Sequence, residues 1–387
     1  MRDFVFHNPT TIIFGRNILG QAGGKTAALG VKALLVSGGE SLKRLGVHRI
    51  VRHSLDQAGI EVTEHAGVQP NPILRHVQQG IALAQKNRIE VVVALGGGSV
   101  IDSAKAIAAG ALASHDVWGF FKGKKSIKNA LPVVAVPTVA GSGSETNNGM
   151  VLTNGETGQK IGIGNRHLFP KIAILDPTVT FSVPPSTTAF GAVDAFSHLL
   201  EFYLNREESF SPLQDHYSAG LMQTLMQACG TALANPLDYQ SRAELLWASS
   251  LALNNISTAG LGRVGFPFHL IEHSLSGLHD IPHGAGLAAI LPGAMAFATR
   301  KNPTRQALFA TQVFGVHDAD QQLLAREGVG LFSQWLKKIA APTSLGDLGL
   351  SRKDIPALAE NTRAQARLWR LSEYPPEIVE AILQECL

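Results

Sequence analysis

Glu90-Val91-Val92-Val93-Ala94-Leu95-Gly96-Gly97-Gly98-Ser99-Val100-Ile101-Asp102-Ser103-Ala104-Lys105 decides the fold. Its first part is β-branched and apolar without alternation, as in a strand buried on both faces. Three glycines and a serine end it, and a helical pattern follows. Strand, glycine turn and helix make the repeating unit of a parallel sheet covered by helices. The same signature recurs outward from it. Strands are predicted at 11–15, 32–37, 60–63, 132–137 and 171–175, with helices near 41–58 and 72–87 and a rigid turn at Gln69-Pro70-Asn71-Pro72.

Such sheets bind ligands beyond the carboxyl ends of their strands. Glycines let a backbone approach a pyrophosphate closely, and the N–H groups of Gly97, Gly98 and Ser99 at a helix start would point at its oxygens. The plainer account is a glycine turn with Ser99 as the helix N-cap. The spacing is not that of the G-x-G-x-x-G fingerprint. A second strand end, Pro137-Thr138-Val139-Ala140-Gly141-Ser142-Gly143-Ser144-Glu145, offers hydroxyls and flexible backbone to a ribose or phosphate. A third, Gly38-Gly39-Glu40-Ser41 with Lys43 and Arg44 nearby, has room and positive charge for a 2′-phosphate. Glu40 is suited instead to ribose hydroxyls, and Lys43 and Arg44 are equally at home on a solvated helix face.

Beyond about residue 184 no alternating strand is found. Helices are predicted at 186–204, 210–233, 239–259, 267–277, 285–300, 304–313, 322–339 and 354–363. At 387 residues the chain exceeds one ordinary core, so two domains are expected, 1–183 and 184–387. The second holds Asp194 and His198, four apart, then His269 and His273, four apart, then His283 between Pro282 and Gly284. Residues four apart share one helix face. A carboxylate and several imidazoles among Ala, Phe, Leu and Ile suit iron or zinc, because unpartnered rings are costly to bury there. A single packed histidine is the commoner case; the joint pattern favours a metal. Spacing leaves open which of the histidines are ligands. A nucleotide in the first domain would face this metal across an interdomain cleft.

Bulk properties exclude several classes. The formal charge is +3, with no basic block, so nucleic acid is not an expected partner. Two cysteines, Cys229 and Cys386, exclude a disulfide framework. No signal-peptide pattern opens the chain, and the run 284–298, broken by Pro292, is too short to span a bilayer. A cytoplasmic protein is expected.

The segments at 96–105 and 137–145, Ile174-Leu175-Asp176-Pro177, the Asp194/His198 and His269/His273 pairs, and Pro282-His283-Gly284 together resemble the iron-containing (group III) alcohol dehydrogenases. These are a branch of the dehydroquinate synthase-like superfamily, and the likeness spans nearly the whole chain. Length and the turn at 38–39 resemble the NADPH-dependent aldehyde reductases and butanol dehydrogenases among them. The resemblance implies an α/β, Rossmann-like nucleotide-binding domain followed by an all-α metal-binding domain. It implies Asp194, His198, His269 and His283 as ligands of one Fe2+ or Zn2+, with His273 beside the nicotinamide and substrate. His273 and Asp102 are the candidate catalytic residues. Gly38, Gly39, Ser41, Asn71, Gly97, Gly98, Ser99, Asp102, Thr138, Ser142, Asn147 and Lys160 would line the cofactor. Gly39 stands where NAD-specific members carry aspartate, which implies NADP(H), with NAD(H) second. Ser142 departs from a commoner threonine. The implied reaction is hydride transfer between cofactor and a small alcohol or aldehyde, in a homodimer, with Phe266, Phe268, Leu270 and Leu278 as a candidate apolar pocket. A lyase on the same scaffold would need a Lys/Arg cluster for a phosphorylated acid. The stretch 266–286 has none, Arg263 being the nearest basic residue.

Overall fold

The continuous apolar runs become interior strands because both of their faces are covered. The computed structural model describes every residue except Glu40, Glu208 and Ser209. The acidic residue considered for the ribose turn, Glu40, therefore lies outside the described residues, as does the side chain of Ser41. The strands are β1 (Thr11–Phe14), β2 (Lys32–Ser37), β3 (Glu61–His65), β4 (Val91–Gly96), β5 (Val133–Pro137), β6 (Gly149–Asn154), β7 (Gln159–Gly164) and β8 (Ile172–Leu175). Six form one sheet in the order β1-β8-β5-β4-β2-β3, every pair parallel. β4 is wholly buried at its centre, with Val93 level with Leu35 of β2 and Val134 of β5. One face packs on a cluster that includes Leu35, Val51, Leu55, Val93, Val136 and Ile174. The exposed residues fall on the edge strands β1 and β3, where polar side chains cost least.

From β2 the chain goes outward to β3 and then returns to β4 on the other side of β2. The order reverses there, so the turns after Ser37 and Gly96 leave the sheet from neighbouring strands. Such a switch point is where open α/β sheets hold ligands.

Two local expectations fail. The helix expected at 41–58 is two helices, Ser41–Arg44 and Val47–Gln57, because Gly46 takes φ +75° between them. The antiparallel hairpin β6–β7 was not expected; it pairs Thr153 with Lys160, and Thr153 bridges to Ile73.

Residues His7–Val183 form one compact unit, and Met1–Phe6 with Pro184–Leu387 form the other. The first six residues thus leave the unit to which the sequence assigns them. Arg2 N–H donates to Gly260 O at 2.9 Å, and its guanidinium pairs with Glu207 at 3.0 Å. The second unit is helical, and Pro185 and Pro267 open two of its helices where a missing N–H costs nothing. The helix expected at 239–259 ends at Ala252, ahead of Asn255 at φ +75°. Arg363–Trp369 and Pro376–Gln384 are further helices that the periodicity did not reveal. Among the described residues no helix is long and apolar enough to cross a membrane.

Candidate metal centre and nucleotide loops

The helix Pro185–Leu204 is buried on nearly every side from Ala192 to Tyr203. Helices apolar all round sit in cores, where an ionised side chain needs a partner. Asp194 and His198 lie on one face of it, one turn apart. His269 comes from the first turn of the helix Pro267–His279. That helix ends at Asp280 with φ +52°, and Pro282 leads into the helix His283–Lys301, so His283 is a first-turn residue. Gly284 fixes its depth. A Cβ there would lie 2.1 Å from Phe190 O. Only glycine lets this helix start rest on the backbone one turn before Asp194.

The result is a convergence of donors. Asp194 Oδ1 lies 3.7 Å from His198 Nε2, 3.8 Å from His269 Nε2 and 3.6 Å from His283 Nε2. A tetrahedral ion with ligands at about 2.1 Å separates its donors by about 3.4 Å. The three distances from Asp194 therefore need to contract by only a few tenths of an ångström. Asp194 Oδ1 and His269 Nε2 are buried with no hydrogen-bond partner, an arrangement that is costly unless a cation lies between them. Electrostatics agree. Burial opposes ionisation of Asp194, but His198, His283 and His269 outweigh it and hold the carboxyl well below its usual range. Burial pushes His198 down to about 3 against the pull of Asp194. Burial also opposes charge on His269, yet Glu201 and Asp194 raise it to about 9. One point at the edge of a largely buried interior thus attracts a positive charge, and the donors fit a divalent metal.

Two groups of ligand atoms, each within 4.8 Å of one another, meet here: Asp194, His198 and His269 form one, and Glu272, His273 and His283 the other. The Nδ1 of His273 meets the side-chain amide of Gln365 at 2.8 Å, and its ring lies 5.5 Å from that of Trp369 and 5.6 Å from that of His283. Phe266 lies 5.7 Å from the His269 ring and 5.9 Å from Trp369. Glu201, Glu272 and Gln365 were not anticipated. Glu201 sits in Leu199-Leu200-Glu201-Phe202-Tyr203 and Glu272 follows Leu270-Ile271. A lone acid inside an apolar run was the available signal.

In the first unit, β4 turns through Gly97 into the helix Gly98–Ala111. Gly97 is the N-cap and no side chain caps the helix, so the capping role considered for Ser99 is not what the turn uses; Ser99 lies inside the first turn. Uncapped N–H groups with the helix dipole behind them suit an anion. A Cβ on Gly98 would fall 2.3 Å from Ser142 Oγ, so the loop after β5 lies directly against this turn. Thr138 N–H donates to Gly96 O at 3.1 Å.

Asp102 accepts from Ser144 Oγ at 2.5 Å and from Val151 N–H at 2.9 Å. Burial raises its pKa against the pull of Lys105. Asn147 accepts from Lys105 Nζ at 3.0 Å and Gly149 N–H at 2.8 Å, and donates to Gly143 O at 3.1 Å. Lys105, fully buried, donates also to Ser144 Oγ, Asn147 O and Gly149 O. Lys160 Nζ meets Asn71 Oδ1 at 3.0 Å. A Cβ on Gly38 would make ordinary contacts, and one on Gly39 would meet nothing within 4 Å. Gly39 does not take a positive φ either. Neither packing nor backbone conformation demands a glycine there.

Comparison with known proteins bears on the family. Residues 9–177 match the family described as iron-containing alcohol dehydrogenase, and residues 188–386 match the Fe-containing alcohol dehydrogenase family, C-terminal. The chain is 36% identical to the probable NADH-dependent butanol dehydrogenase 1 of Bacillus subtilis, over 100% of both chains. It is 32% identical to the NADPH-dependent aldehyde reductase YqhD of Escherichia coli, over 92% of each. Among solved structures, the NADH-dependent butanol dehydrogenase A of Thermotoga maritima superposes with a TM-score of 0.96 at 39% identity, covering 100% of this chain and 99% of that one.

Proposed function

This chain belongs to the iron-containing alcohol dehydrogenase family, whose members are NAD(P)-dependent oxidoreductases, and from that premise we propose that it interconverts short uncharged aldehydes and alcohols, with NADP(H) preferred. One divalent ion, Fe2+ or Zn2+, would be held by Asp194, His198, His269 and His283. The observation that carries this is the approach of three imidazole Nε2 atoms to one carboxylate oxygen, at 3.6 to 3.8 Å, in an apolar interior.

When bound, the ion supplies Lewis acidity towards a substrate oxygen and the nicotinamide supplies or takes the hydride. The chain's own side chains do the positioning. Asp194 and His198 offer donors from one helix, and His269 and His283 from the next two. His273 has its Nδ1 committed to Gln365, so we assign proton transfer to its Nε2. Phe266 and Trp369 present apolar surface beside His269 and His273. That suits a short aliphatic chain, and it offers no cation to a phosphorylated acid.

Gly97, Gly98 and Ser99 would hold the pyrophosphate. Gly38, Gly39, Ser41, Asn71, Thr138, Ser142, Asn147 and Lys160 would line the rest of the cofactor. Both oxygens of Asp102 are engaged by Ser144 and Val151, so its role is to shape the nicotinamide side of the loop. NADP(H) is favoured by the open space at Gly39 and by the exposed Lys43 and Arg44. NADH is the second reading, with the names of the Bacillus and Thermotoga relatives on its side.

A homodimer fits the exposed Phe4, Val5 and Phe6 and the sheet edge at β1, and sedimentation velocity measures it. Cys229 and Cys386, both free and buried, suit the cytoplasm. The activity is tested by butanal-dependent oxidation of NADPH and of NADH, with protein loaded with Fe2+ or Zn2+ and with chelated protein. Metal-dependent turnover, faster with NADPH, is expected. No turnover of either cofactor across a panel of short aldehydes would overturn the proposal.

A further inference from the structure

We propose that Glu201 and Glu272 are positioning residues of the metal centre: buried carboxylates that hold His269 and His283 from behind and raise the affinity for a divalent cation. The inference rests on the metal assignment above. Both side chains are completely buried. An ionised carboxylate in such a place costs several kcal/mol unless its oxygens are fully engaged. They are engaged with the two histidines. Glu201 Oε2 meets His269 Nδ1 at 2.6 Å. Its Oε1 accepts the backbone N–H groups of Phe268 and His269, in the first turn of the helix that carries His269. One carboxylate therefore caps that helix and orients its ligand. Glu272 orients His283 without capping its helix. Its Oε2 meets His283 Nδ1, and its Oε1 meets the hydroxyl of Ser276. A Cβ on Gly286 would stand 2.8 Å from that Oε1, so the glycine leaves the carboxylate its room.

The physical effect follows from the tautomer. A carboxylate at Nδ1 keeps the proton on that nitrogen, which directs the Nε2 lone pair of each ring towards Asp194. The negative charge behind the ring also makes Nε2 a stronger donor. With Asp194 the centre collects three acidic side chains. His198 provides an internal contrast. Its Nδ1 is buried with no partner, and its ring stacks on that of His269 at 4.6 Å. Two imidazoles are backed by charge and the third is held by packing.

The test uses Glu201→Gln and Glu272→Gln in the full chain, with the exposed Glu327→Gln as control. Zn2+ affinity is measured by chelator competition, the ligand field by the Co2+ visible spectrum, and folding by melting of the metal-free protein. Each active-centre variant is expected to bind Zn2+ about 10- to 100-fold more weakly, with a shifted Co2+ spectrum, and the control to match wild type. An unchanged metal-free melt in Glu272→Gln separates positioning from support of the fold; this variant caps no helix and carries the test should Glu201→Gln misfold. Wild-type affinity and spectrum in both variants would overturn the inference while leaving the metal assignment intact. Failure of the wild-type protein to bind any divalent ion would remove both.

Discussion

Replacing Gly284 by alanine tests whether one close backbone approach sets the depth of the metal centre. The new Cβ would lie 2.1 Å from Phe190 O, 2.6 Å from Phe190 C and 2.8 Å from Phe190 Cα, while ordinary contact begins at 3.4 Å. All three atoms are backbone, so no rotamer relieves the clash. The two helices must part by about 1.3 Å, the difference between ordinary contact and the oxygen distance. Asp194 lies one turn beyond Phe190 and His283 is adjacent to Gly284. The parting therefore falls on a donor pair now 3.6 Å apart, which a metal requires to close rather than open. Overpacking of this kind costs about 1–3 kcal/mol, and so lowers the melting temperature by several degrees. Affinity for Zn2+ should drop at least tenfold as His283 loses register, and more if it leaves the set altogether. Chelator competition and calorimetry on the same protein read both quantities. Wild-type Zn2+ affinity together with an unchanged melt would refute the role assigned to Gly284.

Three further outcomes are expected. His269→Ala removes a donor and strips Glu201 of its imidazole partner; metal content should vanish and aldehyde-dependent turnover should fall ~10³-fold, as exhaustive chelation of the wild type should also do, and a variant that retains activity after chelation would contradict the metal's role. Gly39→Asp places a carboxylate where nothing now stands, so the NADPH-to-NADH ratio of kcat/KM should fall about 10- to 100-fold through repulsion of a 2′-phosphate; an unchanged ratio would move the 2′-phosphate elsewhere. Lys105 is pushed down to about 8 by burial, against Asp102 and Glu145, from its ordinary 10.5. The folded chain thus releases this proton before the unfolded chain does, so stability relative to Lys105→Met should rise between about pH 8 and 10.5, and a urea midpoint difference that stays flat or falls over that window would contradict it.

The interior of the sheet was legible from short, β-branched apolar runs bounded by glycine or proline, since burial on both faces leaves no period to read. Val91–Leu95 is short, rich in valine and ended by Gly96, Gly97 and Gly98, which favours a covered strand. The hairpin β6–β7 was hidden because Gly149, Gly162 and Gly164 interrupt its apolar pattern, although Asn154-Gly155 is a turn signal. In the helical unit the long periodic helices were readable. Arg363–Trp369 was not, since Arg363, Gln365 and Arg367 read as a solvated face while Gln365 is in fact buried against His273. The convergence of Asp194, His198 and His269 was foreshadowed by their i, i+4 spacing and their apolar neighbours. Glu201 and Glu272 showed only as lone acids inside apolar runs, and their role was hidden for a different reason. What they do depends on tertiary contacts across 68 and 11 residues of chain, and nothing in local periodicity encodes such pairs.

About 70 residues of chain lie between His198 and His269. A cation gripped from both ends of that span, as proposed, would act as a removable cross-link. By loop-closure entropy a staple over such a length constrains the unfolded chain by about 4 kcal/mol. Every excursion that separates the helix of His198 from that of His269 would first have to release the ion. Resistance to proteolysis across 205–266 should accordingly track metal occupancy. The persistence of the folded chain, as well as its turnover, would then become a function of metal supply.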